Sequence, residues 1–174
     1  MEGICPTCKG PIDKEGKSLD VPKADKFYNP SLATDALVLR KHKDDNFHDI
    51  LLVTRKYNPF KGRFAFPGGF VNYNEEPLKG CLRELEEECT LKGKNPELVA
   101  ISGDPKRDPR KHVVSFCYKV EVGEDDKPIA ADDAATASFY PLNELLKKPE
   151  RFAFDHHSII EKYILKTYPQ YASL

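Results

Sequence analysis

GGFVNYNEEPLKGCLRELEEECTL, residues 68–91, changes character halfway along. From Glu75 to Cys89 the apolar residues Leu78, Cys81, Leu82 and Leu85 recur at spacings that form one stripe on a helix. Pro77 suits the first turn of that helix, where a missing N–H leaves no bond unmade. The same helix carries Glu84, Glu87 and Glu88, which at i, i+3 and i+4 share a face. Like charges at that spacing destabilise a helix by a few tenths of a kcal/mol per pair, so the cluster calls for a cation. A hard ion that takes oxygen ligands, Mg²⁺ or Mn²⁺, suits three carboxylates better than soft zinc. Gly68 and Gly69 precede the helix and lack the Cβ that would keep a backbone carbonyl away from the same ion. Arg83, eight residues after Glu75, is placed to pair with it bidentately and clamp loop to helix, a structural role.

Working outward, Asp35 to Lys41 and Asp49 to Arg55 are short β-prone runs separated by the polar stretch His42 to His48. Arg63 to Phe66 is another, stopped by Pro67, Gly68 and Gly69. Beyond the acidic helix, Leu98 to Ser102, Val113 to Val122 and Ala137 to Leu142 read as strands. Ser158 to Tyr168 has helical spacing, with Ser158 and Glu161 as a capping box. Strands and helices without strict βαβ alternation predict a mixed sheet with helices packed on it. Residues 1–31, with four Pro and no sustained period, are expected to form an irregular arm ahead of one domain spanning 32–174.

Composition removes several classes of function. Lys+Arg 27 against Asp+Glu 28 gives a net charge of −1, so no overall field favours nucleic acid or an anionic membrane. The longest aliphatic runs fall far short of the roughly 20 apolar residues that span a bilayer. Met1 to Lys17 carries Lys, Asp, Glu and Pro where a secretory leader would be apolar, so a cytoplasmic, reducing location is expected. An odd count of five Cys agrees with that setting. Cys5 and Cys8 form a lone CxxC resembling half a zinc knuckle, read as a degenerate ribbon or mobile arm because a closed site needs four ligands, with a site shared across a dimer left open.

The order Gly69, five residues, Glu75, seven residues, Arg83-Glu84-Leu85, one residue, Glu87-Glu88, two residues, Leu91 closely resembles the Nudix box. With ordinary composition, one Gly and five specified charges match with a probability on the order of 10⁻⁷ per starting point, so chance is a poor explanation. Two positions depart from the family pattern, where Asn74 and Thr90 replace glycines. Asn tolerates positive φ and β-branched Thr does so badly, so the turn after the helix is expected to differ from the usual one.

The resemblance implies a Nudix-type α/β/α sandwich with a central mixed β-sheet, and a pyrophosphate linkage cut by water with a divalent metal. It assigns Glu84, Glu87 and Glu88 as metal ligands, with the carbonyl of Gly68, and Mg²⁺ or Mn²⁺ as the cofactor. The general base varies in the family; Asp133, in an acidic loop with Asp132, is ranked first. Asn58 to Gly62, Phe64 to Val71, Arg107-Asp108-Pro109-Arg110 and Phe154-Asp155-His156 look like the ADP-ribose pyrophosphatase branch, which makes AMP and ribose 5-phosphate. Arg107 and Arg110 form a stiff basic loop suited to phosphate or ribose, and Arg55 and Arg63 are weaker candidates for the same binding. An adenine slot has Phe27, Tyr28 and Phe70 to draw on. His156 and His157, at the start of the last helix, are expected to cap it or to lie exposed. A small nucleotide substrate and a homodimer follow from the resemblance. Two alternatives stay open: a nucleotide-sugar sensor without turnover, and hydrolysis of another substrate such as a damaged nucleoside triphosphate or NADH.

Overall fold

The computed structural model describes residues 3–4, 11–12, 29–42 and 47–173. Within the arm, β1 (Gly3–Ile4) and β2 (Pro11–Ile12) pair antiparallel, where only irregular chain was expected. A pairing of two-residue stretches is too short to leave a periodic signal. Cys5, Cys8, Phe27 and Tyr28 lie outside the described residues.

One four-stranded sheet has the order β7-β3-β9-β8, from β7 (Gly68–Phe70), β3 (Ser31–Leu37), β9 (Val113–Glu121) and β8 (Lys94–Ser102). It is mixed, because β3 runs parallel to β9 while the other pairs are antiparallel. The second sheet is antiparallel, with β10 (Ala134–Pro141), β5 (His48–Arg55) and β4 (Leu39–Lys41) in order and β6 (Phe64–Ala65) on β5. The single strand expected over Asp35 to Lys41 is therefore two. It breaks at Val38, whose carbonyl accepts from Leu51 N–H, and the chain passes from one sheet to the other.

Both central strands are near-continuous apolar runs because both of their faces are covered. Alternation divides them: Ala36, Val38, Leu51 and Val53 face one core, whereas Leu37, Ile50 and Leu52 face the other. The first core is closed by Cys81, Leu85 and Cys89 of α1 (Pro77–Cys89). The second is closed by Leu142 and Leu145 of α2 (Leu142–Leu145) and by Ile159, Ile160 and Ile164 of α3 (His156–Thr167). Each fully buried aliphatic side chain contributes roughly 1.5–3 kcal/mol of transfer free energy, so the two layers of helix are held by these stripes.

α3 begins two residues before the expected Ser158, its N-cap residue is Asp155, and no side-chain cap bond forms there. Asp155 is engaged elsewhere, as described below. Thr90 adopts the left-handed conformation (φ 58°) despite its branched Cβ, and its N–H donates to Glu86 O. The turn after α1 is thus left-handed at a β-branched residue. Asn74 is also left-handed, at φ 62°. Among the described residues no helix is long and apolar enough to cross a membrane.

Candidate active site

A cavity of about 410 Å³ opens where β7, the start of α1's acidic face and the chain before α3 converge. Its acidic wall comes from Glu84, Glu87 and Glu88 of α1, faced by Asp132 and Asp133 in the loop before β10. Helical geometry orders the three glutamates. At ~100° per residue, Glu88 sits ~60° from the centre of the buried stripe at Leu85, Glu84 ~100° and Glu87 ~160°. Their exposure follows that order: Glu88 is buried, Glu84 partly buried and Glu87 exposed.

Arg83 joins this wall together. Its Nε donates to Glu75 Oε1 at 2.7 Å and its Nη2 to Glu75 Oε2 at 2.9 Å, a bidentate pair. Its Nη1 also donates to Glu84 Oε1 (2.7 Å) and to Glu87 Oε2 (2.8 Å), contacts that spacing alone did not single out. Gly69 is required where the Glu84 carboxylate lies against β7, since a Cβ there would stand 2.5 Å from Glu84 Oε1. Gly68 passes equally close to β3: a Cβ would meet Thr34 O at 2.3 Å. The Gly68 N–H donates to Glu88 Oε2 at 2.9 Å. Burial, opposed by that bond and aided by the charges of Glu84, Asp133 and Asp35, pushes the Glu88 carboxyl up to about 8. Burial also raises the Glu84 carboxyl, against the pull of Arg83.

The opposite wall is basic. Arg107, its side chain almost fully buried, donates to Asp155 through Nη2 (2.7 Å) and Nε (3.0 Å). Arg110 makes the corresponding bidentate pair with Asp108 (2.7 and 3.0 Å). Arg55 donates Nε to Pro59 O at 2.7 Å, and half-burial followed by the nearby charge of Arg110 lowers its affinity for its proton. All three guanidinium carbons surround the Phe154 ring, at 5.0 Å for Arg55, 5.6 Å for Arg107 and 5.9 Å for Arg110. Phe70 lines the cavity too, with Arg110 and Lys111 over its ring. Arg63 is a correction: it is absent from the cavity lining, and its Nη1 points to Phe152 O at 3.4 Å. Across the β5–β6 connection the Arg55 N–H donates to Arg63 O.

His156 is also a correction. It is buried in the cavity wall, its Nδ1 accepting from Phe66 N–H at 3.0 Å, instead of capping or lying exposed. His157 Nε2 lies 2.8 Å from Leu146 O. Residues that sequence reasoning did not single out for the site are Asp35, Asp108, Phe154 and Asp155. Asp35 is buried, with the Ser115 hydroxyl bonded to its carboxylate. The clue to them was on hand, since Asp108 lies between the two loop arginines and Phe154-Asp155-His156 was already noted as a motif.

The donors on the acidic wall are all hard oxygens, and the one histidine of the lining is occupied by Phe66. Glu88, buried near Glu84, Asp133 and Asp35, holds its proton in this setting, and a divalent cation would favour its ionised form. Among the described residues, no three acidic, histidine or cysteine side chains are already gathered about one point. Two of the expected ligands, Glu84 and Glu87, are turned to Arg83.

An acidic helix face set against three guanidinium groups in one cavity suits an anionic, phosphate-bearing ligand held together with a divalent cation. The chain belongs to the NUDIX family, whose domain matches residues 30–163. An ADP-ribose pyrophosphatase from Methanocaldococcus jannaschii is 40% identical over 149 residues, 85% of this chain and 81% of that protein. The NUDIX domain of Shewanella oneidensis NrtR, solved with ADP ribose, superposes with a TM-score of 0.72 at 28% identity, covering 80% of this chain and 90% of that one. A bifunctional NMN adenylyltransferase/ADP ribose pyrophosphatase from Francisella tularensis, solved with AMP and a manganese ion, gives 0.66 at 26% identity over 82% and 43%.

Proposed function

We propose that this NUDIX hydrolase cleaves ADP-ribose with water, giving AMP and ribose 5-phosphate. The observation that carries the reading is the pairing of the Glu84, Glu87 and Glu88 wall with the Arg55, Arg107 and Arg110 wall across one cavity. The 40% identity to an ADP-ribose pyrophosphatase over most of both chains supports the choice of substrate.

In this reading Glu84, Glu87 and Glu88, with the backbone at Gly68, hold Mg²⁺, or Mn²⁺ in its place. The bound cation neutralises diphosphate charge and acidifies water. Arg55 gives Nε to Pro59 O and, among the described residues, is bonded to no carboxylate, so its guanidinium is open to a phosphate oxygen. Arg107 and Arg110, already fixed by Asp155 and Asp108, orient the substrate without rearranging. Phe70 and Phe154 offer the faces against which a base or ribose rests. Asp133, exposed at the rim, takes the proton of the attacking water as the P–O–P bond opens. Glu75 and Arg83 act structurally, holding the loop against α1. The enzyme works as a cytoplasmic homodimer.

A substrate panel tests this reading. ADP-ribose, NADH and oxidised nucleoside triphosphates are each incubated with the protein and Mg²⁺, and products are resolved by chromatography. ADP-ribose should give the highest kcat/KM, with AMP and ribose 5-phosphate in equal amounts. Silence toward ADP-ribose at high enzyme concentration, or a clear preference for another compound, removes the assignment.

A further inference from the structure

One buried side chain in the cavity wall takes no part in the chemistry above. His156 is 2% exposed and stacks on the Phe66 ring, with centroids 4.7 Å apart and planes inclined by 23°. Because Nδ1 accepts from Phe66 N–H, it carries no proton. Burial keeps the ring neutral, so its single proton sits on Nε2, 3.6 Å from Asp35 Oδ1. The carboxylate of Asp35 is itself anchored by Ser115 and lies against the backbone of Gly68.

The segment from Phe66 to Gly68 is thus gripped at each residue. Phe66 N–H is held by His156, Pro67 O accepts from Ala36 N–H at 2.8 Å, and Gly68 N–H is given to Glu88. We propose that His156 is a positioning residue, whose Nδ1 lone pair fixes the height of this segment and so presents Gly68 and Glu88 to the divalent cation. It touches neither cation nor substrate. Removing the acceptor leaves a buried N–H without a partner, and the segment shifts to find one. The inference rests on the cation reading of Glu88 and Gly68 and is independent of which diphosphate is cleaved.

The test compares three variants of the full chain. His156→Phe keeps a ring and has no acceptor; His156→Asn places an oxygen where Nδ1 stands; His156→Gln places it one bond further away. Mn²⁺ binding to metal-stripped protein is followed through the EPR signal of the free ion, and kcat and KM are measured separately. Outer-shell changes of this kind weaken metal binding or activity by about 10–100-fold, so His156→Phe should bind Mn²⁺ at least about 10-fold more weakly and lose kcat, with KM for substrate little changed. His156→Asn should restore both to near the wild-type values. Wild-type Mn²⁺ affinity in His156→Phe, or an Asn variant as weak as the Phe variant, overturns the proposal. If His156→Phe yields no folded protein, the comparison of Asn with Gln decides, and equal affinity in those two overturns it. Wild-type protein that binds no Mn²⁺ overturns it as well, whereas wild-type protein that binds Mn²⁺ but leaves ADP-ribose intact removes only the proposed substrate.

Discussion

At the scale of single residues, the site is a matter of where charge is buried. Glu88 borders the apolar stripe of α1 and is drawn into the protein, while Glu87, further round the helix, stays in water. If both carry the cation, Glu87→Gln and Glu88→Gln each lower turnover by at least about 10²-fold, the scale of losing one electrostatic contact in a transition state. The fold survives, because Glu87 is exposed and Glu88→Gln removes a buried ionisable group, and steady-state kinetics beside circular dichroism checks both statements. Glu88 adds a pH dependence. Its carboxyl is raised from 4.5 to about 8 in the folded, metal-free protein. A raised carboxyl favours the fold while protonated, and that advantage is lost as pH climbs from the unfolded value through the folded one. In chelator, wild-type protein should therefore lose thermal stability relative to Glu88→Gln as pH rises across that window. Parallel melting curves for the two proteins would show that this carboxyl is not the group titrating. The spacing of Glu75 and Arg83 made their contact legible, and the three carboxylates on one face likewise. Arg83's reach to Glu84 and Glu87 was not, because a flexible side chain's choice among neighbouring partners depends on its rotamer.

At the scale of elements, long periodic segments were legible and short or broken ones were not. α1 follows from its stripe and Pro77, and the buried runs of β3 and β5 from their apolar residues. β7 was read as a stop because Gly68 and Gly69 lack side chains to pack, yet the same absence is what lets the strand lie against Thr34 and Glu84. The helix preceded by Asp155 was placed too late because Ser158 offered a capping box, while Asp155 had been claimed by Arg107 and Ser102 from distant strands and loops. Thr90 shows tertiary context overriding local preference, as its left-handed backbone closes α1 with a bond to Glu86 O. A left-handed non-glycine residue costs about 1–2 kcal/mol and glycine's extra chain entropy about 0.5–1, so Thr90→Gly should raise stability by up to about 1 kcal/mol. Chemical denaturation reads that difference, and a loss of stability would mean that the Thr90 hydroxyl bond to Cys89 O outweighs the backbone strain.

At the scale of the whole molecule, two sheets with helices on both outer faces form a cavity where β7, α1 and the Phe154–His156 segment meet. Acidic and basic walls come from parts of the chain far apart in sequence, so their opposition was invisible before folding. Arg107 and Asp155, 48 residues apart, are one example. Anomalous diffraction from crystals soaked in Mn²⁺ with a non-cleavable methylene analogue of ADP-ribose tests the account most directly. It should place manganese between Gly68 and the carboxylates of Glu84, Glu87 and Glu88, with the diphosphate facing Arg55. Manganese bound elsewhere, with those three side chains still turned to Arg83 and the Gly68 N–H, would contradict it.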